Sequence, residues 1–244
     1  MLKRKRSALF ISTLLLLFCG FGLGGSGCVG TQTKGTVTEQ ESPPTEMPAQ
    51  TQSDPIHELG SMVDPRDGES YATVTIGKQT WLAENLRYEV PGSMLNPENP
   101  SKAYGRLYKL LAAQNACPPG WHLPSDAEWD QLEIAHGMPD SFVNRGGWRG
   151  EHAPAMRAAT GWELEEIEAN QHGFNALPAG YYFSGDMGGE QGMQGFGFSA
   201  AWWSSRVEDV ATARFMFDVR QFVNKWEDKN NETGAGLSCR CVKD

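Results

Sequence analysis

The stretch LPSDAEW at residues 123–129 marks the start of a helix. The hydroxyl of Ser125 can accept a hydrogen bond from the backbone of Glu128, whose carboxylate can reach back to the Ser125 backbone. This reciprocal pair is a capping box. Trp129 then lies on the apolar face, and Gly137 can end the helix. We therefore predict a short amphipathic helix between Ser125 and Gly137.

The residues before this helix predict a hairpin and a second short helix. Residues 72–76 alternate between apolar and polar side chains, as in a half-buried strand. A turn at Gly77 leads back into residues 79–82. Residues 106–114 have leucines at helical spacing, and two prolines that begin at Pro118 prevent the helix from continuing.

The residues after Gly173 predict short strands among glycine-rich loops. The chain contains 28 glycines and 14 prolines, which favours many turns over long helices. The expected fold class is α+β, with short antiparallel strands, two short helices and long loops. The predicted strands of this part are residues 181–183, 200–204, 213–217 and 237–242.

The first residues have the pattern of an export signal. A basic cluster at residues 3–6 precedes an apolar run at residues 8–19 and then small residues. That run is shorter than the ~20 residues that a membrane-spanning helix needs. Cys28 follows Gly25-Ser26-Gly27 and resembles a lipoprotein cleavage site, although Gly25 stands where leucine is usual. We expect residues 1–27 to be removed and Cys28 to be acylated; cleavage with release of a soluble protein is the alternative.

The composition after Cys28 changes twice. Residues 28–56 are rich in Thr, Gln, Glu, Pro and Ser, which predicts a disordered linker between the lipid and the domain. Residues 57–244 form the predicted globular domain.

The net charge of −9 becomes more negative once the basic leader is removed, and such a chain is repelled by nucleic acid. Val29 replaces the Asp typical of inner-membrane retention, which favours the outer membrane or cell surface.

Several ordered blocks resemble the Fibrobacter succinogenes major paralogous domain family. They cover nearly the whole predicted domain, and the family looks like a branch of the C-type-lectin-like superfamily that also includes formylglycine-generating enzymes. The resemblance implies an irregular C-type-lectin-like fold. The matching blocks are DPRDG (64–68), VTIGKQTWLAENL (74–86), YGRLY (104–108), ACPPGWHLPSDAEW (116–129), GW (161–162), GFNALPAG (173–180), WSS (203–205) and RCVKD (240–244).

The cysteines are interpreted through the same resemblance. It implies a disulfide between Cys117 and Cys241, which the oxidising environment of an exported protein favours. Cys239 remains as the odd thiol; an inert buried thiol, exchange of bridge partners and a metal or redox role all stay open. Formylglycine-generating enzymes use two cysteines near the C-terminus with copper. Here the superficially similar RGGW at residues 145–148 has no cysteine after it until Cys239.

No residue of the predicted domain stands out as catalytic or metal-binding. The five histidines lack metal-ligand spacing, and the glycine-rich nucleophile and phosphate motifs are absent. The Glu-Pro-Asn and Trp-Asn-Asp signatures of calcium-dependent lectins are also absent. We therefore expect no cofactor, no metal site and no enzymatic activity.

The eight tryptophans divide into two groups. Those inside the family blocks are predicted to fill the core, whereas Trp148, Trp202 and Trp226 fall outside the strongest blocks and are the predicted ligand-binding candidates at the surface. The favoured function is a surface-displayed binding or adhesion module for a glycan or protein partner. The alternatives are an oxidase of the formylglycine-generating type and a structural envelope protein. The predicted core tryptophans are Trp81, Trp121, Trp129, Trp162 and Trp203.

Overall fold

The structure is a computed structural model. The predicted leader and linker, including Cys28, lie outside the residues it describes. Within the described ranges, no helix combines the length and the apolar character needed to cross a membrane. The described residues are 57–163, 169–170, 172–184, 191–205, 210–217, 223–229 (backbone only) and 234–244.

Short strands dominate the described part of the chain, and three short helices accompany them. The helices are α1 (Leu110–Ala113), α2 (Asp126–Ala135) and α3 (Ala153–Met156), with single 3₁₀ turns at Lys102–Tyr104 and Asp140–Phe142. The strands are β1 (His57–Val63), β2 (Ser70–Ile76), β3 (Gln79–Leu82), β4 (Ser93–Met94), β5 (Leu107–Lys109), β6 (Trp121–His122), β7 (Gly147–Arg149), β8 (Tyr181–Phe183), β9 (Gly192–Gln194), β10 (Ser199–Trp203), β11 (Val210–Phe217), β12 (Val223–Lys229), β13 (Gly236–Ser238) and β14 (Val242–Lys243).

The described strands form two sheets. The first has the order β1-β2-β3-β14-β6 and is antiparallel throughout. The second has the order β4-β5-β13-β10-β11-β12-β7, with β8 added on β13 and β9 on β8. Its β10–β13 pair is parallel and its other pairs are antiparallel. The coarse prediction of an α+β fold built on short antiparallel strands is confirmed.

The predicted hairpin is present as β2 and β3. Val74 pairs with Trp81, and the side chains of both are fully buried. Gly77 has a φ of 61°, a left-handed value that glycine adopts without a steric penalty. The hairpin thus forms because its alternating apolar residues reach the core and its turn carries glycine at the strained position.

The predicted capping box is also present. The Ser125 hydroxyl accepts from the Glu128 backbone at 3.2 Å, and the Glu128 carboxylate accepts from the Ser125 backbone at 2.7 Å. Gly137, with a φ of 102°, follows the end of α2 as predicted. The sequence therefore determines both ends of α2.

Two predicted elements differ from the structure. The single helix predicted over residues 106–114 is wrong, since residues 107–109 form β5 and only residues 110–113 are helical. Pairing of β5 with β13 outweighs the local leucine spacing. The strand predicted over 237–242 is interrupted between β13 and β14, where Arg240 turns its fully buried side chain inward.

An aromatic cluster forms the core beneath α2. The rings of Trp81, Trp129, Phe174 and Trp202 lie 5.1–6.0 Å apart, mostly in tilted or edge-to-face arrangements. Four of the five predicted core tryptophans are buried; Trp121 is only half-buried. The prediction that Trp202 is a surface ligand-binding residue is wrong: its side chain is 0% exposed, because β10 is a central strand packed on both faces.

A polar node lies next to this cluster and connects the two sheets. The amide oxygen of Asn85 accepts hydrogen bonds from Trp202 Nε1 at 2.8 Å and from Arg240 Nη2 at 2.9 Å. Its amide nitrogen donates to the Tyr104 carbonyl at 3.0 Å and to Ser238 Oγ at 3.3 Å. Asn85 thus satisfies an indole and a guanidinium that are both fully buried.

Replacing Asn85 should destabilise the whole domain. In Asn85→Ala the buried Arg240 guanidinium and the Trp202 indole lose their shared acceptor, and removing one partner of a buried charge costs about 3–5 kcal/mol. Chemical denaturation of the full chain measures this loss. The matched control is Asn115→Ala, an exposed amide whose removal should change the free energy of unfolding by less than about 0.5 kcal/mol. Equal stability of the two variants would contradict the role assigned to Asn85.

Candidate functional site

An open groove of about 360 Å³ lies where α1 ends and β6 begins. Its volume falls at the small end of the range for ligand sites. The side chains lining the groove include one indole, two amides, one guanidinium and one imidazole. The lining residues are Arg66, Gln114, Asn115, Cys117, Pro118, Pro119, Trp121 and His122.

Arg66 is held in place from three sides. Its guanidinium donates to Asp64 Oδ2 at 2.6 Å and to the Cys117 carbonyl at 3.1 Å. It also stacks over the Tyr88 ring, with 3.7 Å between the guanidinium carbon and the ring centroid. Burial opposes charge on Asp64, but the hydrogen bonds from Arg66 outweigh it and lower the pKa of this carboxyl. The pair is therefore ionised and rigid.

A disulfide between Cys117 and Cys241 closes the floor of the groove. This confirms the pairing that the family resemblance implied. It joins positions 124 residues apart and holds β14 against the segment that leads into β6. Within the described residues Cys239 is the free cysteine; its side chain is fully buried, and burial raises the pKa of its thiol.

His122 bridges two carboxylates at the rim of the groove. Its Nδ1 lies 2.6 Å from Asp244 Oδ1 and its Nε2 lies 2.9 Å from Glu128 Oε1. Burial opposes protonation of the ring, but the hydrogen bonds to Asp244 and Glu128 prevail and raise the His122 pKa. The protonated ring donates to both carboxylates. The ring of His122, the last residue of β6, therefore connects this strand to the first turn of α2.

The comparisons with known proteins assign the family. The family model of the Fibrobacter succinogenes major domain matches residues 74–243. The chain belongs to this family. No curated protein and no solved structure matches the chain.

In this Fibrobacter succinogenes major domain, much of the groove comes from one matched stretch. Residues 114–122 include the end of the α1 turn, the disulfide cysteine and β6, and all of them lie inside the matched region. Arg66, which completes the groove, precedes that region. Arg66 also belongs to the DPRDG block (64–68), which resembles the family, so the matched region and residues just before it together line the groove.

The three tryptophans predicted to bind ligand do not come together in one site. Trp148 lies in β7, at the edge of the second sheet, and is 39% exposed; its ring packs edge-to-face on Phe217 at 5.6 Å. Trp202 is buried in the core. Trp226 lies in β12 opposite Ala213, and its side chain is outside the described residues.

The sequence prediction missed Trp121 and His122 as site residues. Trp121 was assigned to the core because it lies in a family block, yet it is half-buried and one of its faces lines the groove. Pro118-Pro119-Gly120 before it predicts a turn, but a turn alone does not determine whether the next side chain is buried. The contact of His122 with Asp244 spans 122 residues and has no local signature.

The described residues contain no group of three or more His, Cys, Asp or Glu side chains in the arrangement of a metal site. The groove instead combines an indole face, side-chain amides and paired charges. These groups suit the recognition of a polar ligand that also has apolar faces.

The His122 bridge should make stability depend on pH. Its pKa is raised in the folded state, so its contribution is present below the unfolded value of about 6.5 and is lost as pH rises through the folded pKa. Because the side chain is 41% exposed, we expect only ~0.2–1 kcal/mol. Urea unfolding of the full chain and of His122→Gln, at about pH 5.5 and pH 8.5, measures the effect. A constant difference between the two proteins at both pH values would contradict it.

Proposed function

We propose that this domain is a binding module that holds a neutral glycan in the groove beside the disulfide. The observation that carries the proposal is the half-buried Trp121, which lines the same groove as the exposed amide side chain of Asn115. An aromatic face buries the apolar side of a sugar ring, and nearby amides donate to and accept from its hydroxyls. A protein partner is the competing ligand class.

The paired charges favour a neutral ligand. Arg66 is neutralised by Asp64, and His122 is shared between Glu128 and Asp244. Neither cation that lines the groove is therefore available to an anionic sugar. The chain as a whole is acidic, with a net charge of −9, so a polyuronate is also repelled at long range.

The cysteines support binding over oxidase chemistry. A copper site of the formylglycine-generating type needs two thiolates near the C-terminus, but Cys241 is bonded to Cys117. The remaining thiol, Cys239, is fully buried and has a raised pKa, which disfavours the thiolate that binds metal.

The proposal includes the location and ancestry of the domain. We place it on the cell envelope, at the outer membrane or cell surface, attached through an acylated Cys28. The predicted linker after Cys28 gives the domain a reach of tens of Å, at roughly 5–6 Å times the square root of its length. The irregular arrangement of short strands is compatible with a branch of the C-type-lectin-like superfamily, a fold whose members include carbohydrate-binding lectins.

Glycan binding is tested with soluble neutral hexasaccharides of glucose, xylose and mannose, and with galacturonic acid hexamer as the anionic probe. We expect calorimetry on the full chain to detect binding of at least one neutral hexasaccharide and no binding of the galacturonic acid hexamer. Trp121→Ala should weaken binding at least ~10-fold and Asn115→Ala by a smaller factor, because both remove contacts inside the groove.

Controls separate loss of the site from loss of the fold. Trp148→Ala removes an exposed indole distant in sequence from the groove and should leave affinity unchanged. Trp121 packs partly against the core, so its variant needs a melting temperature, whereas the exposed Asn115 tests the groove without that complication. Unchanged binding in both groove variants, or binding that needs Trp148 instead, would contradict the proposal.

Anchoring is tested by replacing the acylated residue. Cys28→Ser removes the sulfur that receives the diacylglyceryl group, so the variant should leave the membrane fraction, because a stable anchor requires two or more acyl chains. Cell fractionation with intact-mass analysis measures both changes. Equal membrane recovery of variant and wild type would show that something else holds the protein.

A further inference from the structure

Three imidazole rings pack against one another at the far end of α2. His57 is the first residue of β1, His136 directly follows α2, and His172 precedes the buried Phe174. The His57 and His172 rings are nearly parallel, with centroids 4.2 Å apart, and the His136 and His172 centroids are 4.7 Å apart. Three segments distant in sequence therefore meet through titratable rings.

Each ring contains a buried nitrogen without a hydrogen-bond partner. These atoms are His57 Nδ1, His136 Nε2 and His172 Nδ1. The other nitrogen of His136 lies 2.7 Å from the Leu132 carbonyl and donates to it, so Nε2 of the neutral ring carries a lone pair. A proton added at one of these nitrogens therefore meets no hydrogen-bond acceptor.

Glu133, the carboxylate of α2 closest in sequence to His136, is already bound to two arginines. Glu133 accepts from Arg149 Nη2 at 2.7 Å and from Arg214 Nε at 2.6 Å. The ring of His152, which precedes α3, lies 3.2 Å from the same carboxylate and acts on His136 as a further like charge when protonated. Glu133 therefore gives no compensation for a second imidazolium.

The energetics favour neutral rings in the folded state. Burial lowers the pKa of His136 to about 3. The hydrogen bond to the Leu132 carbonyl opposes this shift, and the neighbouring histidines add to it. Burial and His57 likewise lower the pKa of His172. A lowered pKa contributes stability above the unfolded value of about 6.5, and that contribution is lost as pH falls toward the folded value.

β1 has few other side-chain contacts to the domain. Five of its seven residues are exposed, including Leu59 at 74% and Val63 at 61%, and β1 is the edge strand of its sheet. Its backbone pairs with β2 from His57 opposite Ile76 to Val63 opposite Ser70. An edge strand with little buried side-chain surface opens at low cost.

We propose that the His57–His136–His172 cluster is an acid-sensitive latch that holds β1 on the domain and releases it as pH falls below about 6. Protonation places adjacent cations in a buried contact, and separation of β1 relieves the repulsion. Release bares the edge of β2 and adds the seven residues of β1 to the chain that precedes the domain, an extra reach of roughly 20 Å. The latch thus couples acidity to the reach of the domain.

A metal ion does not fit these rings as arranged. An ion bound through imidazole nitrogen lies in the plane of each ring at ~2.0–2.1 Å. The His57 and His172 planes are 14° from parallel and their centroids are 4.2 Å apart, so one ion cannot lie close to both planes at that distance. Proton binding is the chemistry that the stacked geometry supports.

The test is hydrogen exchange of the β1 amides in the full chain, with each rate divided by the intrinsic rate at the same pH. Between about pH 7.5 and pH 5, protection of wild-type β1 should fall at least ~10-fold. In His57→Gln the fall should shrink to less than ~3-fold, because the imidazole that stacks on His172 is removed. His122→Gln is the matched control: it removes a histidine at the other end of α2, and its fall in β1 protection should stay within ~3-fold of the wild-type fall.

A second measurement keeps the result clear if His57→Gln loosens β1 at neutral pH. In the wild-type chain, an NMR titration of the histidine ring protons should show His136 and His172 taking up protons below pH ~6.5, in step with loss of β1 protection. Protection of β1 that is independent of pH, or that falls equally in wild type and His57→Gln, would overturn the proposal. Zinc-induced protection of β1 through the same rings would overturn it in favour of a metal site.

Discussion

The carboxamide of Asn85 is the contact on which both sheets depend. It follows β3 of the first sheet and binds Trp202 in β10 of the second, and it also binds Arg240 where the chain passes from one sheet to the other. The Arg240 guanidinium is held by amide and carbonyl oxygens, among them those of Leu82 and Phe174. Burial lowers its pKa to about 9. Neutral oxygens therefore take the place of a carboxylate, and their positions require both sheets to be in place.

Helix α2, by contrast, is held by buried ion pairs. Asp130 and Glu133 face Arg149 of β7 and Arg214 of β11, two acids against two bases in a buried cluster. Burial opposes ionisation of Glu133, but the hydrogen bond with His152 and the charges of Arg214 and Arg149 lower its pKa to about 2. The ten residues of α2 span roughly 15 Å. The same rigid helix therefore supplies the groove rim at one end and an imidazole contact at the other, with opposite preferences for protonation.

Secondary structure could be predicted wherever residues close together in sequence determine it. The capping box at Ser125 and the hairpin turn at Gly77 depend on residues within a few positions, and both were predicted correctly. Competition between distant segments was not predictable. Residues 107–109 became a strand because β13, well over a hundred residues later, pairs with them. Trp202 was misplaced for the same reason, since burial of β10 depends on strands that close over it from elsewhere in the chain.

The disulfide makes the groove conditional on the redox state of its surroundings. The floor of the groove contains Cys117, while the carboxylate that fixes its rim, Asp244, lies three residues after Cys241. In a reducing compartment these two parts are tied by non-covalent contacts alone, namely the short pairing of β14 with β6 and the hydrogen bonds of Asp244 to Gly120 and His122. Reduction of this disulfide therefore loosens the groove, and oxidation restores the covalent link between its floor and its rim.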